Sequence, residues 1–125
     1  MAGWYMENKL GRALVNAKVL ELGAGVGFGG LIAQSLGAGE VVITDGNVDV
    51  LKLADENIAI NCADSSNIRT AQLRWNTDDE KKFDDKDWDF IFAADVTYLK
   101  KNRHDLVSSI FKLSGPNTVT YLRCG

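Results

Sequence analysis

A short apolar stretch, Val19-Leu20-Glu21-Leu22, runs directly into Gly23-Ala24-Gly25-Val26-Gly27-Phe28-Gly29-Gly30, a turn with five glycines in eight residues. Glycine lets a backbone turn with positive φ and lets a ligand approach the main chain without meeting a Cβ. A strand feeding such a turn reads as a nucleotide-cofactor loop. A dinucleotide fold brings its pyrophosphate to the N-terminus of the helix that follows, where the amides and the dipole favour an anion. S-adenosylmethionine (SAM) has no phosphate; its amino group and sulfonium are cationic and favour a nearby carboxylate. Glu21, two residues before Gly23, supplies one. Gly25 to Gly30 also satisfies Gly-x-Gly-x-x-Gly, so an NAD-linked oxidoreductase stays open as the alternative. Against it, these glycines begin two residues late for strand-to-helix geometry, and Glu21 would repel a pyrophosphate.

The rest of the chain alternates strand-like and helical patterns, which predicts an α/β fold with a doubly wound, mostly parallel sheet. Leu10, Ala13, Leu14 and Ala17 share a helical face, so residues 1–17 read as a helical lead-in, with the helix over 7–17, and 18–125 as the core. Strands are expected at 18–22, 40–45, 71–75, 88–95 and 118–123, and a helix at 28–36 closed by Gly37 and Gly39. Leu51, Ala54, Ile58 and Cys62 stripe the next helix, with Asp49 near its start; Leu106, Val107, Ile110, Phe111 and Leu113 form the face of the last. The charged segment 76–87 reads as a solvated loop.

Composition narrows the function classes. Fourteen basic against seventeen acidic residues leave a net charge of -3 with no basic stripe, which argues against nucleic acid as a partner. No apolar run of spanning length and no signal peptide is visible, so no membrane partner is expected. Cys62 and Cys124 lack Cys-x-x-Cys spacing, and the lone His104 has no ligand-spaced neighbours, so neither disulfide nor metal is expected; both thiols read as free in a reducing compartment, cytoplasmic or nuclear.

In a doubly wound sheet the ligand lies beyond the carboxyl ends of the strands, near the point where strand order reverses. Asp45 ends a buried strand about twenty residues after the start of the glycine turn, the placement of an acid that accepts from ribose hydroxyls; the plainer reading is a turn aspartate before Gly46-Asn47. Trp75 could stack on an adenine ring or simply join the core. Asp95 and Tyr98 follow the fourth strand, with strand-end cap and half-buried aromatic as their plainer roles.

Taken together, ELGAGVGFGG, TDGN, LRW and AADVTY, each ending a successive strand, resemble class I SAM-dependent methyltransferases, and more narrowly the protein-lysine methyltransferases that include calmodulin-lysine methyltransferase. The resemblance implies that Glu21, Gly23 and Gly25 contact the methionine part of SAM, that Asp45 holds the ribose, that Trp75 lies near the adenine and that Ala94 lines the cofactor. It implies that Asp95 and Tyr98 face a lysine on a protein substrate and the transferred methyl. Such sheets have seven strands, so a Rossmann-like core lacking its C-terminal strands is expected here. A truncated chain of this kind should self-associate through its terminal strand and turn over poorly; a non-catalytic SAM- or partner-binding remnant is the corresponding alternative.

Overall fold

The protein, seen in a computed structural model, is described over residues 11–24, 27–95 and 100–124, with backbone alone at 11–12, 28, 94–95, 100–101 and 123–124. Five strands, β1 (Lys18–Leu22), β2 (Glu40–Asp45), β3 (Ile68–Gln72), β4 (Phe90–Asp95) and β5 (Val119–Cys124), form one sheet in the order β3-β2-β1-β4-β5. Every pairing is parallel, with Glu21 opposite both Ile43 and Phe92. Successive strands step outward from β1 to β3, and the chain then returns to the other side of β1 for β4. The reversal therefore lies between β1 and β4.

Buried parallel strands are near-continuous apolar runs because both faces are covered, and each face here has its own core. Val19, Val41, Ile43, Phe90 and Phe92 pack under α1 (Gly11–Leu14), α2 (Phe28–Ser35) and α3 (Val48–Asn61) through Leu14, Ala33 and Ala54. Leu20, Leu22, Val42, Ile91 and Ala93 pack on the opposite face against Leu73, Phe83, Trp88 and the helix α4 (Lys100–Leu113) through Leu106 and Leu113. Asn47 starts α3 by accepting from the amides of Asp49 and Val50 at 2.9 and 3.4 Å.

Four local expectations change. The lead-in helix, expected to reach Ala17, stops at Leu14, because Asn16 takes the left-handed φ of 63° and donates its amide to the Gly37 carbonyl at 2.8 Å. β3 lies three residues earlier than the apolar pattern suggested: Val41 donates to the Asn67 carbonyl at 2.8 Å and opens the ladder there, while Leu73 and Trp75 join the core from the loop beyond it. The charged segment is not wholly solvated, since residues Asp78–Lys82 form a 3₁₀ turn that buries Glu80, with Phe83 buried after it. On α4, Val107 and Phe111 are 55% and 84% exposed, and the buried stripe is Leu106, Ser109 and Leu113. Beyond these, β4 begins at Phe90, with Trp88 buried ahead of it and its indole donating to the Phe83 carbonyl at 2.8 Å.

Candidate functional site

The carboxyl ends of β1, β2 and β3 open together onto a cleft of about 380 Å³. Gly23 leaves β1, Asp45 ends β2, and Leu73, Arg74 and Trp75 follow β3, while Asn102 and Asp105 reach in from the first turns of α4. Three sequence-predicted residues, Gly23, Asp45 and Trp75, thus meet in one place. Ala94 and Asp95 end the neighbouring strand β4. Gly25 and Tyr98 lie outside the described residues.

Gly23 turns with φ of 63°, and a Cβ built on it would stand 2.7 Å from the Trp75 ring. The ring therefore lies directly against the glycine backbone, an approach that any side chain at 23 would prevent. The hydroxyl of Thr44, wholly buried in β2, donates to the Glu21 carbonyl at 2.7 Å, and the Ala24 amide donates to the Thr44 carbonyl at 3.0 Å, which pins the loop to the sheet.

Glu21 is 9% exposed and sits beneath the loop rather than in the cleft wall. Its carboxylate accepts from the Gly30 amide at 2.8 Å, at the N-terminus of α2. A Cβ at Gly29 would come within 2.8 Å of the same carboxylate, so the helix approaches it only because that position is bare. Burial pushes the Glu21 carboxyl from 4.5 up to about 7, against the opposing pull of the Gly30 and Gly29 amides. The anion-binding end of α2 is therefore filled by the protein's own acid.

Asp45 accepts from the Asn47 amide at 2.9 Å while lining the cleft, so its turn role and its place in the site coexist. Arg74, the cation at the cleft rim, is engaged: its Nε and Nη2 donate to Asp79 at 2.9 and 3.3 Å, and its amide donates to the same carboxylate at 3.0 Å. These bonds hold the Asp79 carboxyl down at about 2. Among the described residues no cluster of His, Cys, Asp or Glu is arranged to hold a metal, and no helix is long and apolar enough to cross a membrane.

Sequence reasoning missed Arg74, Asn102 and Asp105 in the wall, and the buried pair Glu80 and Ser109 behind it. The available signal was the order of elements: the helix after β4 starts at the switch point, so the polar residues of its first turns face the ligand space.

The chain matches, over residues 1–124, the profile of a family described as lysine methyltransferase. It is 33% identical over 122 residues to EEF1A lysine methyltransferase 3 of Xenopus tropicalis, covering 98% of this chain and 52% of that protein. Over 96 residues it is 35% identical to calmodulin-lysine N-methyltransferase of Arabidopsis thaliana, covering 74% of this chain and 31% of that one. The chain thus spans about half or less of the length of these relatives. Its fold superposes on PKMT2 from Rickettsia typhi in complex with AdoHcy with a TM-score of 0.70 at 21% identity, covering 87% of this chain and 21% of that one.

Proposed function

Because this chain belongs to the lysine methyltransferase family, we propose that its cleft binds SAM and that it serves methyl transfer to a lysine side chain on a protein. The observation that carries the choice of cofactor is the capped N-terminus of α2. A dinucleotide would place its pyrophosphate on those amides, but Glu21 already occupies the Gly30 amide at 2.8 Å. Arg74, the cation among the described lining residues, is committed to Asp79. What the site offers instead is acids and an aromatic face: Glu21 under the loop for a cationic amino group, Asp45 for ribose hydroxyls, Trp75 for an adenine ring. These residues fit SAM and do not fit the nicotinamide alternative, which the family match does not support either.

When bound, SAM supplies a methyl group already activated on a sulfonium. The protein's part is then mainly positioning. Asp95, at the carboxyl end of β4 beside the switch point, and Tyr98 three residues on are the residues assigned to orient the neutral lysine amine, whose proton passes to solvent. Ala94 and Gly25 complete the cofactor contacts. The acceptor is a protein lysine, in keeping with the names of the relatives, each of which spans more than this chain does.

Calorimetric titration with S-adenosylhomocysteine (SAH), SAM and NAD side by side tests the cofactor. SAM and SAH should bind and NAD should not, and Asp45→Ala should cost about 1.5–3 kcal/mol of that binding by removing charge-assisted hydrogen bonds. Binding of NAD without a SAM response would overturn the reading. Radiolabelled methyl transfer into lysate proteins then tests turnover: label on lysine supports the activity, and cofactor binding without label would make the chain a binding module.

A further inference from the structure

Behind Trp75 lies a polar cluster that the cofactor contacts do not explain. Asn76, the next residue, takes the left-handed φ of 57°. Its amide is shared by the Ser109 hydroxyl oxygen at 2.8 Å and the Glu80 carboxylate at 3.1 Å, and the Ser109 hydroxyl in turn donates to Glu80. Its side chain donates to Asp105 at 3.2 Å and accepts from Lys112 at 2.6 Å. Lys112 also stands 3.6 Å from Glu80, which is 6% exposed, while Ser109 is wholly buried. Asp105, Ser109 and Lys112 form one stripe of α4, so a single helix face grips a single residue.

A buried carboxylate beside a buried hydroxyl is a costly way to fill space, and an apolar pair of the same shape would stabilise as well. What polar groups add is a fixed geometry at one atom, and here that atom is the backbone nitrogen next to Trp75. The Trp75 ring in turn has little latitude, because it packs against the bare backbone of Gly23. Asp105 belongs both to the cluster and to the cleft wall. We infer that Glu80 and Ser109 are positioning residues: by clamping the Asn76 amide they set the Trp75 ring as the fixed wall of the cleft and so determine its fit to an adenine-bearing ligand. The adenine part rests on the SAM reading above, and the clamp itself does not.

The test is a double-mutant cycle on the intact chain, with SAH as the probe and the indole N–H signals of Trp75 and Trp88 in a ¹⁵N–¹H spectrum as a ligand-free readout. Ser109→Ala should weaken SAH roughly tenfold and shift or broaden the Trp75 indole signal, leaving that of Trp88, which is anchored on Phe83. Glu80→Gln, which keeps the shape and an acceptor oxygen, is the milder variant and should lower affinity by a smaller factor in the same direction. In a Trp75→Ala background both effects should collapse towards no change, since a clamp with nothing to position cannot alter binding. Equal losses in both backgrounds with an unmoved Trp75 signal would reduce the cluster to general stability and overturn the inference. Should the wild type not bind SAH at all, the SAM reading fails, and the Trp75 signal alone decides the clamp: displaced in Ser109→Ala and Glu80→Gln it stands, unmoved in both it falls.

Discussion

The two walls of the cleft are built by different means. On the β1 side the wall is main chain: a glycine turn pinned to β2 through Thr44, with a buried acid under it that accepts from the Gly30 amide nine residues on. On the β3 side it is side chain: Trp75 backed by Asn76, which is held by Ser109 from 33 residues away and by Lys112 from 36. A wall of bare backbone is marked by its glycines and tolerates no added atoms. A side-chain wall depends on how a distant helix docks, and can be loosened by degrees.

Gly23→Ala should break the first wall outright and gives the largest expected effect. The substitution forces a Cβ into a left-handed conformation and into the Trp75 ring, 2.7 Å away. Left-handed strain and overpacking together should cost about 2–5 kcal/mol of stability, and SAH binding should be lost from calorimetry. A variant that melts and binds like the wild type would show that the two walls are not in contact in solution.

The acid under the same wall makes a pH-dependent prediction. The Glu21 carboxyl titrates at about 7 in the folded protein against an ordinary 4.5. Between these values the native state holds a proton that the unfolded chain has released, so stability must fall as pH rises. The contribution is fully present below pH 4.5, is lost progressively up to and through pH 7, and amounts to about 3 kcal/mol. Urea denaturation of the wild type across this range should show the decline, and Glu21→Gln should flatten it. A cationic amino group favours the ionised carboxylate, so SAH binding should release a proton and tighten from pH 6 to pH 8 in the wild type but not in Glu21→Gln. A wild-type stability profile that is level or rises across pH 7 would remove Glu21 as the buried titrating group.

The same division explains what could be read from the residues alone. β1 and β2 lie where the apolar runs end in Leu22 and Asp45, because a strand buried on both faces is apolar along its whole length. Glu21, Gly23, Asp45 and Trp75 were legible as short motifs at strand ends, and three of them line the cleft. The far side was not. Glu80 stands in a run of charges that suggests solvent, yet Ser109 and the Asn76 amide make its burial tolerable. Ser109 is a small hydroxyl on a helix whose more apolar neighbours Val107 and Phe111 suggested a different inward face, and the stripe it belongs to is fixed by contacts with the loop after β3. The register of β3 failed for a related reason, since Leu73 and Trp75 are core residues of a loop rather than of a strand.

The smallest expected effect tests that reassigned face of α4. Asp105, Ser109 and Lys112 contact Asn76 behind Trp75, whereas Phe111 is 84% exposed and Val107 55% exposed. Phe111→Ser removes a large apolar group that buries little, so stability should move by no more than about 0.5 kcal/mol, and SAH affinity should stay unchanged. The sign is informative as well as the size, because a polar residue on an exposed helix face carries no desolvation cost and should not lower solubility. If Phe111→Ser instead lowered the melting temperature and weakened SAH as strongly as Ser109→Ala does, α4 would be docked through its Phe111 face. The side-chain wall would then need a different support from the Asn76 clamp.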